Sequence, residues 1–175
     1  MMGWHKNLTA NDAKGQDAPR IQYAALCWRG AADGIEVLLI TSRDTGRWVI
    51  PKGWPMAGLA PEAAAAQEAW EEAGVEGLVN PLCLGRFGYM KCMTADTTIP
   101  CAVSVYGLRV AQLATTYPEV NERRRQWFSL GEAALLVDEP DLHELIGNFV
   151  PPDEGRLRPI AAEAEETTPK GRGAR

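Results

Sequence analysis

The sequence predicts an α/β (α+β) fold, a mixed β-sheet with helices on its faces. Two strand-like runs, Ile21 to Arg29 and Ile35 to Thr41, precede a loop and an Ala-rich helical stretch. Further strand-like runs follow that stretch, and the last patterned segments are helical again. With 175 residues the chain is long enough for one domain with a substantial core. Hydrophobic residues at 46% and charged residues at 23% are ordinary for a soluble globular protein.

The elements are justified in order. Residues 1–19 are polar and unpatterned and read as a flexible arm, which contains Lys14 and His5. IQYAALCWR and IEVLLIT are rich in strand formers, and the Gly-Ala-Ala-Asp-Gly connection between them suits a hairpin turn. Trp48 to Pro51 reads as a brief strand stopped by its proline. In the following loop Pro61 suits the first helical position, where a missing donor costs nothing, and Gly74 is a natural helix stop. Leu82 to Tyr89 and Ile99 to Val110 read as strands around a polar connection, Lys91 to Thr98. The run Arg123 to Phe128 enters another short strand. Ser129 with Glu132 forms a capping-box pattern for a helix, and a last amphipathic helix spans about Asp141 to Phe149. Residues 151–175 are charge-balanced and punctuated by Gly and Pro, which predicts disorder. The domain therefore spans residues 20–150.

Composition excludes several function classes. A net charge of −5 argues against a nucleic-acid or membrane-surface binder, so a polyanionic ligand must be held by a local basic cluster or by metal. The four cysteines show no CxxC pair, which favours reduced thiols and argues against zinc. No apolar run approaches the roughly 18 residues of a membrane span. These features lead us to expect a cytoplasmic protein, acting as a monomer or homodimer.

The chemistry concentrates in Gly53 to Val75, GWPMAGLAPEAAAAQEAWEEAGV. At about 100° per residue, Glu68, Glu71 and Glu72 fall on one helical stripe, with Ala63, Ala66, Trp70 and Ala73 on the other side. Alone, such a cluster is usually a solvated face. No Lys or Arg at helical spacing relieves the repulsion, however, whereas a divalent cation would. Carboxylate oxygens suit Mg2+ or Mn2+.

The same stretch resembles the Nudix box, which runs Gly, five residues, Glu, seven residues, Arg-Glu, an aliphatic residue, any residue, Glu-Glu, any residue, Gly and an aliphatic residue. Gly53, Glu68, Glu71, Glu72, Gly74 and Val75 fit. Leu59 stands where the pattern has Glu, and Gln67 where it has Arg, so two opposite charges are lost together. RIQYAALCWR, EVLLITSRDTGRWVIPKGW, EEAGVEG and ERRRQWFSLGEAALLVDEP are similar to the diphosphoinositol polyphosphate phosphohydrolase branch of that family. The resemblance implies a mixed sheet between helices, with metal and substrate pyrophosphate meeting on the box helix. It implies Glu68 and Glu72 as metal ligands and Glu71 as general acid/base. Asp96, Glu119 and Glu122 are alternative bases, because some Nudix enzymes take theirs from a distal loop.

The substrate is expected to be a phosphorylated small molecule. The resemblance puts Arg20, Thr41, Ser42, Arg43, Gly53 and one of Arg123 to Arg125 against it, Arg125 being the expected contact. Lys52 belongs to the same basic set, together with Arg47, Arg86 and Lys91, and guanidinium forks suit phosphates. Glu139 stands where relatives carry a basic residue before Pro, which weakens the case for a densely phosphorylated inositol. Dinucleoside polyphosphate or ADP-ribose pyrophosphatase activity is the alternative, with Trp54 the best base-stacking candidate. A non-catalytic phosphate-binding module is a third reading. His5 and His143 are expected to be structural or surface residues.

Overall fold

The computed structural model describes residues 18–152 and 158–159. Strand β1 (Arg20–Ala31) and β2 (Gly34–Thr41) form the expected antiparallel hairpin, with Ala31 opposite Gly34. Short β3 (Trp48–Val49) pairs with β2, and β4 (Lys52–Gly53) pairs with β1. Helix α1 (Pro61–Ala73) follows, then the long hairpin of β5 (Val75–Thr94) and β6 (Thr97–Leu113). After a loop come β7 (Arg125–Ser129), α2 (Leu130–Leu136), α3 (Pro140–Gly147) and β8 (Arg158–Pro159). The sheet order is β3-β2-β1-β6-β5-β8, with β7 also on β2. Among the described strands only the β1–β6 pairing is parallel, so the sheet is mixed as expected.

Both faces of the sheet are covered, and β1 shows how. Successive side chains point to opposite faces of a strand. Ala24, Leu26 and Trp28 enter one core with Phe87, Leu142 and Ile146, under α2 and α3. Ala25 and Cys27 enter the other, with Leu38, Ile40 and the alanines of α1. A strand buried on both faces reads as a continuous apolar run, which is why Tyr23 to Trp28 shows no alternation.

The buried face of α1 consists of Ala64, Ala65, Ala66, Ala69 and Ala73, together with Glu72. Glu72 follows Ala65 by seven residues and so sits within about 20° of it around the axis. Small alanine side chains bring the helix close to the sheet, and the same spacing carries the Glu72 carboxylate inward. The three glutamates therefore do not form a stripe opposite the buried alanines, because Glu72 lies within the buried face.

Other expectations hold or shift for identifiable reasons. Pro61 starts α1, Gly74 ends it in the left-handed region at φ 63°, and Ser129 and Glu132 form the capping box. Strand β5 begins at Val75, seven residues before the Leu82 expected from the sequence. Asn80 and Pro81 read as breakers, yet they occupy a bulge, where the Leu82 amide donates to Asn80 Oδ1 at 3.0 Å. Lys52 and Gly53, expected in a loop, form a strand pair with Tyr23 and Ala24. Arg158 and Pro159, expected to lack structure, pair with Val79 and Leu78 at the sheet edge. The arm at 1–17 and tail residues 153–157 and 160–175 lie outside the described residues.

A Cβ on Gly74 would lie 2.5 Å from Tyr117 Cδ1, on a backbone already at positive φ. Gly74→Ala should therefore destabilise the fold by roughly 1–3 kcal/mol, measured by urea denaturation. An unchanged midpoint would contradict this packing.

Candidate functional site

The C-terminal end of α1 is held by the loop that follows β6. The Ala114 amide donates to the Gly74 carbonyl at 2.8 Å, and the Glu119 amide to the Glu71 carbonyl at 3.0 Å. Arg125 donates to the Ala73 carbonyl, and to the Ala114 carbonyl at 2.8 Å, with its guanidinium over the Tyr117 ring. The Glu71, Ala73 and Gly74 carbonyls lie at the end of the helix, where they lack intrahelical partners, and a cation beside them also suits the helix dipole. Arg125 is therefore a structural clamp. Its expected role as a substrate contact is corrected, since both hands of its fork are occupied away from the cleft.

Arg123, two residues earlier, points into the site instead. It donates to Glu72 Oε1 at 2.5 Å, to Glu119 Oε2 at 2.6 Å and to the Thr41 carbonyl at 3.2 Å. The Lys52 amide donates to Glu72 Oε2 at 3.1 Å. Glu72, only 7% exposed, thus has both oxygens occupied. Burial raises its pKa while Arg123 and Lys52 oppose the rise. Burial lowers the pKa of Lys52 and raises that of the Cys27 thiol, which lies near Glu72.

Glu68 is the perturbed carboxylate. Burial and the neighbouring charges of Glu72, Glu71 and Glu119 push its pKa up to about 7. A Cβ on Gly53 would lie 1.9 Å from Glu68 Oε1, so a side chain there would push that carboxylate out of its present position. Glu71 is half-buried and accepts a hydrogen bond from Gln67 Nε2 at 2.8 Å. Gln67 thus orients Glu71 one turn along the helix, while Leu59 is 44% exposed and leaves no charge stranded.

These groups open onto a cleft of about 320 Å³. Ser42, Arg43, Lys52, Gly53, Glu68 and Glu72 line it, as does Glu119, one of the alternative bases. Glu71 is not among the lining residues. The Thr41 hydroxyl accepts from the Arg124 amide at 2.9 Å and so positions backbone. Glu122 pairs with Arg43 at 3.0 Å, and Asp96 is exposed in the β5–β6 turn, outside the cleft. Arg20 also lies outside the lining, 6.0 Å from the Trp54 ring that does line it; Lys91 approaches the same ring at 5.8 Å. His143 is exposed and outside the cleft lining, with its Nδ1 2.8 Å from the Ala134 carbonyl. Sequence reasoning missed Gln22 and Tyr89, whose hydroxyl donates to Gln22 Oε1 at 2.6 Å in the cleft wall. Nothing in their local pattern marked them. A more open cleft of about 440 Å³ between β5 and α3 contains none of the α1 carboxylates, so the site is assigned to the smaller one.

Among the described residues, no three Asp, Glu, His or Cys side chains converge as a ready-made metal cage. Arg123 explains this, because its guanidinium takes the position between Glu72 and Glu119. The donor chemistry nevertheless fits a hard divalent cation. All donors are carboxylate oxygens, and they lie near enough for Glu72, Glu71 and Glu119 to raise the pKa of Glu68.

A family model of the NUDIX domain matches residues 20–151. The chain belongs to the Nudix family. Nudix hydrolase 12, mitochondrial, from Arabidopsis thaliana is 33% identical over 130 residues, covering 71% of this Nudix chain and 64% of that protein. Diphosphoinositol polyphosphate phosphohydrolase 3-alpha from Mus musculus is 31% identical over 116 residues, covering 65% and 66%. The matched part thus spans just under two thirds of these relatives. Among solved structures, the Escherichia coli dihydroneopterin triphosphate pyrophosphohydrolase has a TM-score of 0.57 at 18% identity, covering 77% of this chain and 98% of that one. The Caenorhabditis elegans Ap4A hydrolase has a TM-score of 0.53 at 19% identity, covering 74% and 95%. At such identities the likeness shows the Nudix fold. No described helix is long and apolar enough to cross a membrane.

Two outcomes follow from the charges. With its pKa at about 7 in the folded chain against 4.5 ordinarily, Glu68 keeps a proton between those values only when folded. Its contribution to stability is therefore full below the lower value and is lost as pH rises through the upper one. Chelated wild-type protein should lose stability across that window relative to Glu68→Gln, as followed by urea denaturation. Removing one partner of a buried pair costs about 3–5 kcal/mol. Arg123→Ala should show a loss of that order in chelator and recover part of it in millimolar Mg2+.

Proposed function

We propose that this protein is a Mg2+-dependent Nudix hydrolase that cleaves a pyrophosphate linkage in a phosphorylated small molecule, similar to the diphosphoinositol polyphosphate phosphohydrolases. The observation that carries the reading is a single cleft lined by the carboxylates Glu68, Glu72 and Glu119 together with the cations Arg43, Lys52 and Lys91. Glu68 and Glu72 would hold Mg2+, or Mn2+ in its place. The ion supplies charge neutralisation on the phosphoryl oxygens and acidifies a bound water. Lys52 and Lys91 bind and orient the phosphates, and Arg43 closes the outer rim. Glu71, next to Glu72 in the helix though outside the cleft lining, is the proposed base that takes the proton from the attacking water. Its only side-chain partner among the described residues is the neutral amide of Gln67, whereas Glu119 already faces two guanidiniums.

A second reading is dinucleoside polyphosphate or ADP-ribose hydrolysis. Trp54 favours it, because its half-buried ring lines the cleft between the cations of Arg20 and Lys91 and could receive a base. A panel of diadenosine polyphosphates, ADP-ribose, nucleoside triphosphates and an inositol pyrophosphate, assayed with Mg2+, separates the two. No turnover of any would leave a phosphate-binding module.

Replacing a general base typically costs 10²–10⁴-fold, so Glu71→Gln should lose about that much turnover on the best substrate. Its unfolding midpoint should stay near wild type. Full activity in Glu71→Gln with loss in Glu119→Gln would move the base to the loop.

A further inference from the structure

We infer that Glu139 determines substrate specificity by neutralising Arg47, restricting the cleft to lightly phosphorylated ligands. The inference rests on the pyrophosphohydrolase reading and, within it, favours the nucleotide-type substrates of the second reading over a densely phosphorylated inositol. The cleft wall carries five cations, Arg43, Arg47, Lys52, Lys91 and Arg123. Arg123 is neutralised by Glu72 and Glu119, and Arg43 pairs with Glu122 and Glu119. Arg47 Nη2 donates to Glu139 Oε1 at 2.7 Å, and Nη1 lies 3.7 Å from Asp138. Among the described residues only Lys52 and Lys91 of the five have no carboxylate within 4.0 Å of the side-chain nitrogen.

The Arg47–Glu139 pair joins residues 92 positions apart, with the Glu139 side chain 8% exposed at the N-terminus of α3. Its bonding is incomplete, since Glu139 Oε2 and Arg47 Nη1 are buried without hydrogen-bond partners. An imperfect buried pair adds little stability. Its main consequence is electrostatic, a full negative charge that water screens poorly beside a phosphate-sized cleft. Each phosphate group brings about −1.5 to −2 charges. Two unpaired lysines with a metal ion suit one diphosphate, whereas a ring bearing six phosphates would face Asp44 and Glu119 and an Arg47 already engaged by Glu139, with too few free cations.

The test is calorimetric binding of inositol hexakisphosphate and of ADP, without turnover, to wild type, Glu139→Gln and the similarly sized Glu139→Met. Asp33→Asn, in the β1–β2 turn at the far end of those strands from Ser42, controls for net charge. One freed cation at close range in a poorly screened site is worth about tenfold. Wild type should prefer hexakisphosphate over ADP by less than about tenfold, and either folded Glu139 variant should bind hexakisphosphate about tenfold tighter. ADP affinity should change little, Asp33→Asn should do nothing, and adding Arg47→Gln should abolish the gain. The inference is overturned if wild type already prefers hexakisphosphate several hundredfold, or if both ligands respond equally to the Glu139 changes. Because these are binding measurements, they stand apart from whether any anhydride is hydrolysed. A protein that hydrolyses none loses the phosphohydrolase reading and keeps the measured preference.

Discussion

The contact between Arg123 and Glu72 is the interaction on which the site depends. Glu72 is carried into the interior by an alanine face whose spacing leaves no alternative. A carboxylate there needs a compensating charge, because desolvation of a lone ion costs several kcal/mol. Arg123 supplies that charge and joins three pieces of chain, the helix through Glu72, the end of β2 through the Thr41 carbonyl and the loop through Glu119. The cleft has its shape because these pieces meet at one guanidinium. A divalent cation between Glu68 and Glu72 would supply the same compensation, so ion and arginine address the same electrostatic need.

The arrangement links packing directly to chemistry. Gly53 lets the Glu68 carboxylate lie where a Cβ would otherwise be. That close approach helps bury Glu68, and burial first, then the charges of the neighbouring carboxylates, raises its pKa. Arg125 anchors the end of the helix that bears all three glutamates, which keeps the crowded groups in register. The sheet contributes rigidity, since β1 is buried on both faces and carries β4 on its edge.

Much of this was legible in the sequence, for local reasons. Pro61, Gly74 and the Ser129–Glu132 box act within one or two turns, so their spacing alone located helix ends. The glutamates of the box were legible for the same reason, and the family model agrees over residues 20–151. What was not legible depends on partners distant in the chain. Arg123 and Arg125 are indistinguishable in the run Arg-Arg-Arg, but Arg125 enters β7 opposite Ile40 and turns to the helix end, leaving Arg123 to the cleft. The 92-residue separation of Arg47 and Glu139 hides their pairing in the same way. Asn80 and Pro81 concealed the start of β5, because a bulge can hold residues that a regular strand rejects.

The central claim is that the α1 carboxylates hold the ion that Arg123 stands in for. Anomalous diffraction from crystals grown in Mn2+ tests it most directly. The expected result is a peak within about 2.0–2.2 Å of carboxylate oxygens of both Glu68 and Glu72, with the Arg123 guanidinium displaced from Glu72. A peak at other residues, or none while Arg123 still bridges Glu72 and Glu119, would contradict it.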